Sequence, residues 1–233
     1  SSRYGWHGNY NNWQEAQQRC TGYNAANILE KVKAATLAVK KGKAAFEKDS
    51  ILFDSIDYSW PLLSMLQQIA IGHNNTLSVI DFGGSLGSSY FQNRNYLSKL
   101  AKLQWSVVEQ KDFVTAGKQE IADETLQFYY TIDEAIQSRG MHDVLLLSCV
   151  LPYLEHPYQF LAAAADKKIP YIIIENTYFN PGKGDRLTVQ KVPPVFYEAS
   201  YPAWFLDYEK VKETLRQQYV LVQEYINNEF IYL

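Results

Sequence analysis

The sequence predicts an α/β protein: a mostly parallel sheet of seven strands with helices on both faces, preceded by a helical extension over residues 1–75. Three observations predict it. Five short apolar runs, "LSVIDF" (77–82), "WSVVEQ" (105–110), "LQFYY" (126–130), "DVLLLSCV" (143–150) and "YIIIEN" (171–176), lack the polar alternation of a half-solvated strand and read as strands buried on both faces. Helix-compatible segments lie between most of them, at spacings of roughly 18 to 28 residues that suit right-handed βα units. A glycine-rich loop, Gly83 to Gly87, follows the first run, at the kind of strand end where such sheets hold ligands.

Taken in order, the chain begins without a convincing strand. "NNWQEAQQRC" and "NAANILEKVKAATLAVKKG" read as helices, and in the second Ile28, Val32, Ala35 and Val39 fall on one face, with Gly42 as the stop. A third helix starts at "YSWPLLSMLQQIAIG", where Pro61 is tolerated in the first turn. The alternating region then runs from residue 76. Residues 176–205, dense in Gly, Pro and aromatics, read as a long irregular insertion of the kind that carries function. The end reads as a helix and two further strands joined by a tight turn at Asn227-Asn228. The expected division is therefore an N-terminal helical cap, 1–75, and a sheet domain, 76–233.

Bulk properties exclude several classes. A net charge of -3 with no basic stripe argues against a nucleic-acid partner. No apolar run approaches the roughly 18 to 20 residues that span a bilayer, and the first residues lack a signal pattern, so a cytoplasmic protein is expected. Cys20 and Cys149 make neither metal-ligand spacing nor a disulfide framework. Composition sets no oligomeric state.

The loop admits two readings. Gly83-Gly84-Ser85-Leu86-Gly87 fits G-x-S-x-G, the turn that exposes a nucleophilic serine in α/β-hydrolases. That fold places several strands before the serine, whereas here the loop follows the first strand of the alternating region. The alternative is a loop that cradles a nucleotide cofactor. The nicotinamide pattern fails, because Ser85 and Ser88 stand where glycines are needed. Asp81 offers a carboxylate suited to an ammonium group, such as the methionine end of S-adenosylmethionine. Glu109 ends the second strand 22 residues after Gly87, the spacing at which an acid accepts ribose hydroxyls. With Gln110, Tyr130, Thr131, Ser148 and Cys149 at successive strand ends, one crevice is expected.

These residues resemble motif I of class I S-adenosylmethionine-dependent methyltransferases, with Ser85 where that motif commonly has a glycine. More narrowly, the chain resembles a bacterial methyltransferase family associated with surface-polysaccharide (O-antigen type) biosynthesis loci. The matching stretches are "YGWHGNY" (4–10), "ILEKV" (28–32), "YSWPLL" (58–63), "DFGGSLGSSYFQNR" (81–94), "VVEQ" (107–110), "LPYLEHP" (151–157), "DRLTVQKVPP" (185–194) and "YPAWF" (201–205). The resemblance implies a Rossmann-like methyltransferase fold, S-adenosylmethionine as cofactor, S-adenosylhomocysteine as product, and methyl transfer. It brings no substrate; a small-molecule acceptor, such as a sugar or sugar nucleotide, is the expectation.

For an oxygen acceptor a base is needed within hydrogen-bond reach. His156, after the fourth strand, is the first candidate, and Glu175, ending the fifth, the second. Trp6, His7, Tyr153, Asp185 and Arg186 are the expected acceptor walls. A methyltransferase-like module without catalysis is the other class to weigh, because fold alone does not fix function.

Overall fold

A computed structural model describes residues 3–226 of the chain. In chain order it opens with β1 (Gly5–Tyr10), α1 (Trp13–Gln18), β2 (Gly22–Tyr23), α2 (Ala25–Lys40), β3 (Phe46–Lys48), β4 (Ile51–Phe53) and α3 (Trp60–Gly72). Next come β5 (Thr76–Phe82), α4 (Ser88–Leu97), β6 (Lys102–Val108), α5 (Lys111–Ala116), a π-helical turn (Gly117–Ile121), β7 (Leu126–Tyr129), α6 (Ile132–Arg139) and β8 (Val144–Ser148). A 3-10 turn (Leu151–Tyr153), α7 (Pro157–Asp166), β9 (Tyr171–Glu175), β10 (Arg186–Val192), β11 (Ala199–Phe205) and α8 (Tyr208–Arg216) follow.

The chain divides into two compact units. One comprises Ala26–Ser148 and Ile169–Glu175. It holds the parallel sheet, in the order β7-β6-β5-β8-β9, with every neighbouring pair parallel. All five apolar runs are its strands. The order reverses between β5 and β8, which makes their carboxyl ends a switch point. On one sheet face Leu77, Val79, Trp105, Val107, Leu126, Phe128, Val144 and Leu146 form the core with the apolar sides of α2, α3 and α4. Val32 and Val39 of α2 are buried in it, with Ile28 packed alongside, as their spacing predicts. The helix stops at Gly42, whose left-handed φ of 74° lets the amides of Gly42 and Lys43 turn back onto the carbonyls of Val39 and Ala38. The opposite face carries Ile80, Val108, Leu145 and Leu147, and α6 lies against the strands there through Ile132 and Ala135.

Gly117 is fixed by crowding. A Cβ there would stand 2.5 Å from the Phe128 ring, so the π-helical turn approaches β7 as only glycine allows.

The other unit comprises residues up to Ala25, Cys149–Lys168, and the chain from Asn176 onward. It overturns two expectations. The first residues are not purely helical, and 176–205 is not an irregular insertion. β1, β10, β11 and β2 make a four-stranded antiparallel sheet. Leu187 and Val189 of β10 bury one face against Ala16 of α1, with Trp13 and Trp204 beside them. Pro202 within β11 is accommodated because β2 pairs only with Ala199 and Ser200, leaving Pro202 on an edge.

The expected seven-stranded sheet is a five-stranded one among the described residues. Residues 219–226 form no strand among the described residues, and Val220, Val222 and Ile226 are exposed. The turn at Asn227-Asn228 and the strand after it lie outside the described residues. Strands also occur before residue 75, including the hairpin β3–β4, whose tip residues Asp49 and Ser50 are both left-handed. No helix of the described residues is long and apolar enough to cross a membrane.

Candidate functional site: a glycine loop ringed by carboxylates

The loop between β5 and α4 is tightly wound. Gly83, Ser85 and Gly87 all have positive φ, at 70°, 56° and 95°. Gly83 donates its amide to the Val108 carbonyl at 2.9 Å, tying the loop to the end of β6. Ser85 is the one residue of the three with a side chain to strain, and its amide donates to Glu109 Oε1 at 3.0 Å. Glu109 Oε2 accepts the amide of Gln110 at 2.8 Å. The acid at the end of β6 therefore reaches across and clasps the loop. Burial pushes its carboxyl above the usual range, against the lowering effect of those two N–H donors.

Asp81 has a different place from the one its sequence position suggests. Its side chain is 1% exposed, beneath the loop, with Oδ2 accepting the Trp105 indole N–H at 3.0 Å. A Cβ on Gly84 would lie 2.4 Å from its Cγ. Asp81 thus supports the loop from below. Burial, with smaller contributions from Glu109 and Glu175, pushes its carboxyl up to about 7, against the lowering effect of the Trp105 hydrogen bond. Trp105 escaped the sequence reading, though its same-face position one strand away from Asp81 follows from parallel register.

Glu175, ending β9, is also buried, and accepts hydroxyl donors from Ser148 at 2.9 Å and Ser59 at 3.1 Å. A fourth acid, Glu47 of β3, is buried at the far end of the loop and accepts the Ser88 hydroxyl. Four carboxylates therefore belong to one side of this sheet edge and loop. Among the described residues no lysine, arginine or histidine forms an ion pair with Asp81, Glu109 or Glu47.

The remaining strand-end candidates are more committed to local structure. The Thr131 hydroxyl caps α6 by accepting the Glu134 amide at 3.0 Å, and Glu134 in return accepts the Tyr130 amide at 2.8 Å. The Tyr130 ring is 44% exposed, with Lys118 Nζ over it. Gln110 is exposed and caps α5.

The hydrolase pairing is absent. None of the four histidines hydrogen-bonds Ser85 among the described residues: the one buried serine–histidine pair is Ser106 with His142 Nε2, at 2.9 Å, and His142 Nδ1 is held by the Gly140 carbonyl. Burial lowers the His142 value, and the ring belongs to a buried network with Ser106 and the Gly140 carbonyl.

In the second unit, Cys149 is exposed and left-handed, with φ 54°. Tyr153 donates to Gln190 Oε1 at 2.7 Å and meets the Tyr201 ring edge-on, at 5.3 Å. Trp6 packs edge-on against Tyr178, at 4.9 Å, and Phe205, at 6.0 Å. Register places Trp6, Gln190 and Tyr201 side by side on one sheet face. His7, next in β1, alternates to the other face. The Trp6 Nε1 and His7 Nε2 atoms are both buried with no hydrogen-bond partner among the described residues. Asp185 and Arg186 are engaged in the fold: Asp185 accepts the Tyr158 hydroxyl and the Asp207 amide and pairs with Lys210, while Arg186 Nε donates to the Gly8 carbonyl. His156 precedes α7, its side chain 63% exposed and its Nε2 3.7 Å from Glu155.

No family model matches the chain, and no curated protein matches it. Solved structures similar to it include the N-terminal domain of EvdMO1 in the presence of SAH and D-fucose, at 13% identity and a TM-score of 0.47, covering 84% of this chain and 87% of that one. Another is the Burkholderia thailandensis 1,6-didemethyltoxoflavin-N1-methyltransferase with bound 1,6-didemethyltoxoflavin and S-adenosylhomocysteine, at 13% identity and a TM-score of 0.39, covering 84% and 79%. A third is an S-adenosylmethionine-dependent methyltransferase from Clostridium acetobutylicum, at 10% identity and a TM-score of 0.41, covering 70% and 80%.

Proposed function

We propose that the chain is an S-adenosylmethionine-dependent methyltransferase acting on a hydroxyl of a sugar or other small molecule. One observation carries the reading: Asp81, Glu109 and Glu47 lie about the glycine loop at the switch point, and among the described residues none of the three pairs with a cation. A pyrophosphate-bearing dinucleotide would be repelled there, whereas a cofactor with an ammonium and a sulfonium matches the field. The loop's backbone fits a close approach as well, since Gly83 and Gly87 are left-handed and Gly84 has no room for a Cβ above Asp81.

When bound, that cofactor supplies an electrophilic methyl carbon, and the chain's part is to orient, exclude water and manage one proton. Glu109, with lone pairs beyond those used by Ser85 and Gln110, accepts the ribose hydroxyls. Asp81 and Trp105 hold the loop beneath. His156 accepts the acceptor's hydroxyl proton, with Glu175 second, and the Trp6 and Tyr153 faces hold the acceptor ring.

Calorimetric titration tests the cofactor. S-adenosylhomocysteine should bind the intact chain, and Glu109→Ala should weaken it at least about tenfold, as befits loss of charge-assisted hydrogen bonds. Absence of binding to the intact chain would falsify the reading. His156→Ala should retain that binding and lose methyl transfer; full turnover in the variant would move the base elsewhere.

A further inference from the structure

The β3–β4 hairpin contributes a charge that the fold itself does not use. Glu47 is 4% exposed. Its carboxylate accepts the Ser50 amide at 3.0 Å and the hydroxyl of Ser88, the first residue of α4 and the neighbour of Gly87. Both donors are neutral. Burial pushes the carboxyl above its ordinary range, and Asp49 adds to the effect while the two donors oppose it. A carboxylate drawn out of water without a cation opposes folding. Glutamine, of the same shape, could serve both partners: its carbonyl accepts the Ser50 amide and its amide group donates to the Ser88 oxygen. The negative charge is thus the unexplained part, and it lies at the end of the glycine loop.

Resting on the methyltransferase reading, the cofactor brings a cation to this loop in its methionine ammonium. Asp81 is not placed to meet it, being beneath Gly84. Glu109, at the end of β6 and held by the Ser85 and Gln110 amides, belongs to the ribose side. We propose that Glu47 is the counter-charge for the cofactor's ammonium and that the β3–β4 hairpin is part of the cofactor site. The ammonium replaces the Ser88 hydroxyl as donor to Glu47, and the buried charge acquires its partner. Glu47 then selects ligands by their amino-acid end, not by their adenosine.

Two probes separate these ends: S-adenosylhomocysteine, and 5′-methylthioadenosine, which keeps the adenosine and thioether and has no amino acid. Glu47→Gln in the full chain should weaken S-adenosylhomocysteine at least about tenfold and leave 5′-methylthioadenosine within about twofold. The same variant should melt at a higher temperature than the parent without ligand, a shift opposite to that from loss of a structural contact. Equal affinity for S-adenosylhomocysteine in parent and variant overturns the assignment, and so does equal weakening of both ligands. Ser88→Ala, which keeps the charge and removes the competing hydroxyl, should bind S-adenosylhomocysteine at least as tightly as the parent; weakening there also counts against it. If the parent binds neither compound, the methyltransferase reading fails; if it binds both and the variant does not discriminate, only the role of Glu47 fails.

Discussion

Gly84→Ala is expected to abolish S-adenosylhomocysteine binding and to destabilise the chain by about 1–3 kcal/mol, the usual penalty for overpacking. The added Cβ would stand 2.4 Å from Asp81 Cγ and 2.5 and 2.7 Å from its oxygens. Asp81 has nowhere to go, because it is buried in a central strand and its carboxylate is held by Trp105 Nε1. The loop must therefore lift, and lifting it draws the Ser85 amide away from Glu109. Urea melts and titration calorimetry read the two effects separately. Gly72→Ala is the control: nothing lies within 4 Å of the added methyl, so stability should hold or rise by up to about 1 kcal/mol. Parent-like affinity in Gly84→Ala would show that the loop does not touch the ligand.

Asp81→Asn is expected to stabilise the unliganded chain, and by an amount set by pH. An acid whose folded value is about 7, against 3.8 unfolded, holds its proton more firmly in the folded state. Nothing is lost below pH 3.8, where the group is neutral in both states. Stability then falls as pH rises toward 7, and at pH 8 the ionised, buried carboxylate costs about 4 kcal/mol. Asparagine reproduces the neutral form and keeps an acceptor for the Trp105 indole. The variant's advantage in melting temperature should be largest at pH 8 and vanish near pH 4. An advantage independent of pH would mean that Asp81 does not ionise across that range.

The parallel sheet was legible because burial on both faces writes itself into local composition: "DVLLLSCV" and "YIIIEN" need no partner to be recognised. β1 and β10 carry no such signature. "GWHGNY" is only half-buried, with left-handed Gly5 and Gly8, and its partner lies some 180 residues away. β11 was hidden by Pro202, whose tolerance depends on an edge that only the assembled sheet defines. At the site, spacing located Asp81 and Glu109 but not their directions. Asp81 points down because Trp105 offers it a donor, and Glu109 points across because Ser85 and Gln110 do. Glu47 had no sequence signal at all, since its meaning comes from Ser88 in another element. Asp185 and Arg186 have contacts the sequence did not reveal, with Tyr158, Asp207 and Lys210 on the one and the Gly8 carbonyl on the other.

Pairing the first strand with one so distant has a kinetic consequence. As the chain emerges from the ribosome, Gly5–Tyr10 must wait for Arg186–Val192 before its backbone groups find partners. The parallel sheet, complete once Glu175 is made, can condense earlier. Closing so long a loop is slow, and the waiting strand is an unpaired edge open to other chains. Folding yield, more than final stability, is therefore where substitutions in the first ten residues should be felt.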